Sequence, residues 1–259
     1  MTEKSERSKA LALRLNRGLY WLSVRWLEVM LVFLGIFVAL PFAAPTLMHL
    51  GLERPANVIY VLYKPFCHQF GFRSHFLFGE QSVYPRANTG TDLVTYEEMI
   101  ARTNPPEFAN VTDLYAESGD TRDELQSWAN LQWAARSFVG NETMGYKVTV
   151  CERDIAIYLA LWTGGLLYLI FRRRVRPVPL WLWFFLGIGP IGIDGFSQLL
   201  SYPPFEFWDT RETLPFFRVL TGATFGFMNA WLGFPYLQMS FEDTQHAIEA
   251  KFRRAGIDL

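Results

Sequence analysis

Four stretches of this chain are almost free of formal charge, and their length leaves few folds open. Residues 29–51, 155–171 and 219–239 contain no Asp, Glu, Lys or Arg, and residues 178–200 contain Asp194 alone. At about 1.5 Å per residue, helices of this length cross most or all of a hydrocarbon core about 30 Å thick. Lipid admits only helices and closed barrels, because every backbone N–H and C=O must find a partner within the protein. Continuous apolar runs select the helix. The sequence predicts an all-α membrane protein in which four transmembrane helices form a bundle and a long extracytoplasmic loop domain is mostly helical.

The boundaries follow from where the charges resume. Transmembrane helices are expected at 26–50, 154–171, 178–200 and 217–239. An N-terminal segment precedes them at 1–25, and the loop domain occupies 51–153. A basic turn fills 172–177, a short loop 201–216 and a tail 240–259. Pro41 and Pro45 should bend or end the outer part of the first span. A cleaved signal peptide fits this first run less well, since it is longer than an h-region and follows a long basic lead. Only 19% of the chain is charged while 51% is hydrophobic, against about 25% charged in soluble domains. The net charge of -1 and the lack of a basic stripe give no hint of nucleic acid as a partner. The bilayer is the partner the composition requires, with other membrane subunits as further candidates.

Lysine and arginine set the orientation. Lys4, Arg7, Lys9, Arg14, Arg17 and Arg25 precede the first span, and Arg172, Arg173, Arg174 and Arg176 fill the turn after the second. Both groups belong in the cytoplasm by the positive-inside rule. The expected location is the cell membrane, with both termini cytoplasmic. Residues 52–153, with nine Lys and Arg against thirteen Asp and Glu, then lie outside. Their length implies a folded unit. Thr95 with Glu98 and Thr121 with Glu124 are capping boxes. The second should open a helix over about 122–138 that Gly140 ends. Residues 56–64 read as an interfacial or re-entrant helix with Tyr60 and Tyr63 at headgroup depth. The aromatic stretch 70–79 should pack on the bundle or lie in the interface.

The chemistry-bearing residues are those that a span tolerates badly. Asp194 should face the bundle interior and pair, with Arg153 or Arg218 as candidates. Gln198 shares its face at i+4. Pro190 frees the carbonyl of Leu186 and could kink the helix just below Asp194. Topology brings Cys67, His68, Arg73, Cys151, Arg153, Asp154, Asp194, Gln198, Arg218 and Thr221 to one level at the outer mouth. Cys67 and Cys151 sit where a disulfide can form. With His68 and a carboxylate, from Asp154 first or else Asp194, they also offer ligands for Zn or Cu. Arg153 next to Cys151 leaves a redox-active thiol open. Gly222 and Gly226 have GxxxG spacing, most simply a tight helix contact.

Cys67-His68-Gln69 with Arg73-Ser74-His75-Phe76, then Cys151-Glu152-Arg153-Asp154, Asp194-Gly195-Phe196-Ser197-Gln198 and Arg218-Val219-Leu220-Thr221-Gly222 stand in the order of a known pattern. The chain resembles the prokaryotic family of predicted integral membrane proteins called domain of unknown function 2085. Two departures stand out: Asp154 replaces the second cysteine of the family's C-x-R-C block, and the insert between the first two blocks is long. The resemblance implies no activity. The chain carries no P-loop, nucleophile-elbow or H-E-x-x-H signature. Three readings follow. The leading one is a non-catalytic membrane subunit or scaffold, with a disulfide, an Asp–Arg pair and no accessible cavity. The second is a metal-dependent or thiol-redox enzyme at the extracytoplasmic face, with the polar residues lining a pocket. The third is a small carrier, which requires Asp194 to line a path open to both sides.

Overall fold

A computed structural model describes residues 3–117, 119–172, 174–202 and 205–258, with side chains from residue 7 onward. Arg173 of the basic turn lies outside the described residues, as does the side chain of Lys4. The chain is mostly helical, at 68%. In order it forms α1 (Glu3–His49), α2 (Glu53–Tyr63), β1 (Ser74–Leu77), α3 (Tyr96–Thr103) and α4 (Arg122–Ser137). It continues with β2 (Gly140–Asn141), β3 (Gly145–Cys151), α5 (Glu152–Phe171), α6 (Leu180–Trp183), α7 (Gly189–Leu199) and α8 (Pro215–Ala255). Among the described residues, three helical segments are both long and apolar enough to cross a membrane: Arg7–His49, Glu152–Phe171 and Leu180–Leu199. Helix α8 has the length for a crossing and lies outside this group, because Thr221, Thr224, Asn229 and Pro235 dilute its apolar residues.

Helix α1 runs through both prolines instead of ending at them. Pro41 leaves the carbonyl of Phe37 without its helical donor. The hydroxyl of Tyr63 supplies one, donating to Phe37 O at 2.7 Å. The one break in helical geometry is at Arg25, with φ -108° and ψ 15°. Pro190 has the opposite effect: a single π turn at Phe184–Ile188 separates α6 from α7. A wide turn of this kind accommodates a carbonyl that the proline cannot bond.

The main helix contact is α5 against α8, and glycine makes it close. A Cβ on Gly226 would stand 2.2 Å from Ile157 O, and one on Gly222 would stand 2.5 Å from Arg153 O. Trp26, Leu27, Leu31, Tyr168 and Phe234 fill the space where α1 joins this pair. Farther along, Trp26 donates to Gln238 at 3.0 Å, Gln245 to Ser23 O at 2.7 Å and Tyr20 to Glu249 at 3.0 Å. The N-terminal part of α1 and the C-terminal part of α8 thus lie side by side, as helical extensions and not as separate segments. Helix α7 buries Asp194 and Gln198, and it and the π turn before it leave Phe184, Phe185, Ile193 and Phe196 exposed.

The insert between α1 and α5 is not all helical. Its sheet has the order β1-β3-β2, with both pairs antiparallel. Ser74 faces Cys151, and Phe76 faces Lys147 across a bulge. Strand β3 was invisible to a period-2 reading because both of its faces are covered: Lys147, Val148, Thr149 and Val150 are all buried. The aromatic stretch forms β1 and its approach, and Phe72 and Phe76 join Tyr84, Tyr96, Met99, Phe108, Leu131 and Phe138 in a core of the insert's own. Both capping boxes are present, on α3 and α4. Phe138 caps α4, and Gly140, at φ +122°, opens β2 instead of ending the helix. Tyr60 and Tyr63 are buried and do not face the outside of α2. Tyr60 donates to Lys147 O at 2.5 Å and Tyr63 to α1. The exposed face of α2 is Val58, Val61 and Leu62.

Candidate functional site

Strand β3 runs directly into α5, so Cys151 is both the last strand residue and the N-cap of the helix. One turn into α5, Asp154 turns back to it, and the Cys151 thiol donates to Asp154 Oδ2 at 3.1 Å. Cys67, reached from the end of α2, completes the group. Its sulfur accepts from the backbone N–H of Cys151 at 3.2 Å and of Gln69 at 3.4 Å. The two sulfurs and a carboxylate oxygen of Asp154 all lie within 4.8 Å of one another. Both cysteines are free thiols. Hydrogen bonding with Cys67, with burial second, pushes the Cys151 thiol well above its usual range. Arg153 does not counter this, because its guanidinium is turned to Asp194.

His68 stands apart from the group. It is exposed and stacks on Phe70 with ring centroids 5.5 Å apart, so the four-ligand set expected from sequence is a set of three. His49 stacks on Phe78 at 4.3 Å, a packing role.

Two ion-pair centres flank the thiols. Asp194 accepts from Arg153, from Arg211 at 3.0 Å and from the Thr213 hydroxyl at 2.8 Å. Its partners are therefore Arg153 and Arg211, and Arg218 goes elsewhere. Glu212 accepts from Arg218, from Arg73 at 2.5 Å and from the Tyr202 hydroxyl at 3.0 Å. Burial alone would raise the Glu212 carboxyl, but Arg73 and Arg218 reverse that and hold it at about 2. Arg218 also donates from Nε to Thr213 O at 2.9 Å. Thr221 bonds the carbonyl of Phe217 in its own helix at 2.7 Å and joins neither centre. Arg211, Glu212 and Thr213 lie in the short segment before α8. Sequence reasoning passed over them because it weighed charges inside spans and at their ends. The signal was the adjacent Arg211-Glu212 pair a few residues before Arg218, opposite charges on the short segment that leads into α8.

Between these groups is a cavity of about 280 Å³ lined by Cys67, His68, Arg73, Cys151, Arg153, Asp154, Gln198 and Arg218, with Phe66 and Phe70 at its apolar side. Gln198 is 8% exposed, and among the described residues its Nε2 makes no hydrogen bond of good geometry, although its amide lies beside the Tyr202 hydroxyl. Of the ten residues singled out from sequence, eight line this cavity. Asp194 stands behind Arg153, and Thr221 turns away.

Residues 132–232 match the family model described as "Predicted membrane protein (DUF2085)". The match takes in Cys151, Asp154, Asp194, Gln198 and Arg218, while Cys67, His68 and Arg73 precede it. No curated protein and no solved structure matches the chain.

Proposed function

We propose that this membrane protein crosses the bilayer four times, carries its insert on the extracytoplasmic side, and acts there as a metal-dependent enzyme on a small or lipid-like substrate. The observation that carries the reading is the meeting of Cys67, Cys151 and Asp154 at the wall of an accessible cavity. Two thiolates and a carboxylate suit Zn²⁺, and the sulfur pair alone suits Cu⁺. Three protein ligands with a position open to a cavity are the pattern of catalytic rather than structural zinc. Ligand atoms around tetrahedral zinc lie roughly 3.5–4 Å apart by the usual bond lengths, so the separations found, all within 4.8 Å, need closure of about 1 Å. A bound Zn²⁺ supplies Lewis acidity to a carbonyl or phosphoryl oxygen. The chain's own residues do the rest. Arg73 and Arg218, pinned by Glu212, and Arg153, pinned by Asp194, present a rigid cationic wall. The pairing of the two terminal helical segments supports both termini on one face, as the positive-inside rule requires.

A scaffold is the second reading, and the engagement of Asp194 and Glu212 by four arginines favours it. Metal analysis of protein purified in detergent, with thiols counted before and after reduction, separates the two. The enzyme reading expects about one Zn or Cu per chain and loss of that metal in Cys151→Ser while the helical circular dichroism is kept. A quantitative Cys67–Cys151 disulfide without metal refutes it and supports the scaffold.

A further inference from the structure

The cavity beside the thiols has donors that the fold does not use, and they indicate what it takes. Each guanidinium carries five N–H donors. Arg73 and Arg153 each spend one terminal nitrogen, Nη2, on a carboxylate, and their Nη1 atoms donate to nothing among the described residues. The Arg73 side chain is 26% exposed and that of Arg153 22%, although each is fixed by its ion pair. Gln198 adds a buried amide that makes no hydrogen bond of good geometry among the described residues. Among the acids near these arginines, Glu152 does not line the cavity and Asp154 is turned to Cys151. The cavity, at about 280 Å³, is smaller than the roughly 300–1,000 Å³ of sites for drug-sized ligands. It fits a headgroup-sized anion. Phe66, 53% exposed at the rim and edge-on to Phe37 of α1, offers an apolar surface to anything attached.

We propose that this cavity binds a phosphate group, free or as a lipid headgroup, between Arg73, Arg153 and Arg218, with the amide of Gln198 as a further donor. Planar guanidiniums suit phosphate because each can give two parallel hydrogen bonds. The inference names the substrate class of the site proposed above and rests on that reading for its chemistry, but not for its binding.

The test uses the full chain in micelles and titrates inorganic phosphate by calorimetry. A parallel arm uses nanodiscs of phosphatidylcholine with and without phosphatidic acid. Two variants leave the ion pairs in place: Gln198→Leu removes an amide that is in no ion pair and whose one polar neighbour, the Tyr202 hydroxyl, keeps its bond to Glu212, and Arg73→Lys keeps a cation for Glu212 but loses the free Nη1. Phosphate binding that weakens about tenfold in either variant, the loss expected for one hydrogen bond to a charged group, supports the site. Selective, variant-sensitive binding of phosphatidic acid without free phosphate also supports it and names the lipid as the source. No binding in either arm, or binding that both folded variants retain in full, overturns it. The Cys67→Ser/Cys151→Ser protein separates the two readings. Phosphate binding kept there shows that binding does not need the metal, and if the wild type also binds phosphate but purifies without metal, only the metal reading is sunk. Metal without any phosphate binding in the wild type sinks only this one.

Discussion

Glu212→Gln should show how strongly the insert is fastened to α8. Glu212 is 6% exposed and joins Arg73, just before β1, to Arg218 in the first turn of α8. Its folded carboxyl is held at about 2 against a usual 4.5, a difference of about 2.5 units, or roughly 3 kcal/mol at about 1.36 kcal/mol per unit. Removing one partner of a buried ion pair costs a similar amount, roughly 3–5 kcal/mol, because the other charges stay buried without it. The sign is that of a depressed acid. The unfolded chain takes up its proton first, so the contribution is complete above about 4.5, declines as pH falls, and is gone below about 2. Unfolding in mixed micelles, followed by tryptophan fluorescence, should find the variant about 3 kcal/mol less stable at pH 7. The gap to wild type should then narrow between pH 4.5 and 2 and nearly close at the lower end. A gap under 1 kcal/mol at pH 7, or one that does not change with pH, would refute the reasoning.

Lys147 should give a dependence of opposite origin. It is fully buried, its ammonium donates to the carbonyls of Gln69, Ala135 and Arg136, and burial lowers it to about 7 from 10.5. The unfolded chain keeps this proton longer, so stability should rise between pH 7 and 10.5, by at most about 5 kcal/mol. Melting curves of Lys147→Met should lack that rise, and a wild type equally flat would count against the assignment. Gly226→Val would push a side chain into Ile157 O and should cost about 1–3 kcal/mol or more; an unchanged melting temperature would mean that α5 and α8 are not in this contact. In the Cys67→Ser/Cys151→Ser background, an impermeant maleimide should label Trp133→Cys in intact cells and His246→Cys only after lysis. The reverse pattern would put the insert in the cytoplasm.

The helices were legible because continuous hydrophobicity and clusters of arginine are local signals. The capping boxes at Thr95 and Thr121 were legible for the same reason, since each is written within four residues. The sheet was not. Strand β3 carries a lysine, a threonine and two valines that are all buried, so alternation, the usual mark of a strand, has nothing to alternate between. The prolines misled in a related way. What decides whether Pro41 ends a helix is whether another group takes over the carbonyl of Phe37, and that group is Tyr63, from a different element.

The site shows where sequence reasoning reaches its limit. Depth along a helix can be counted, so the ten polar residues were assigned to one end of the bundle. Their pairing depends on lateral position, which is fixed by contacts such as Gly222 against Arg153 O. That contact brings the start of α5 close to the first turns of α8 and leaves Arg153 for Asp194 and Arg218 for Glu212. Glu212 was overlooked because its value lies in the two cations that reach it, one of them 139 positions away in the chain. The arginines have the converse lesson. Arg73 and Arg153 are held by carboxylates on one side and carry free nitrogens on the other, so the ion pairs that favour a scaffold are also what would keep a binding wall rigid. Structural and functional roles therefore do not compete at these residues, and only occupancy of the cavity distinguishes them.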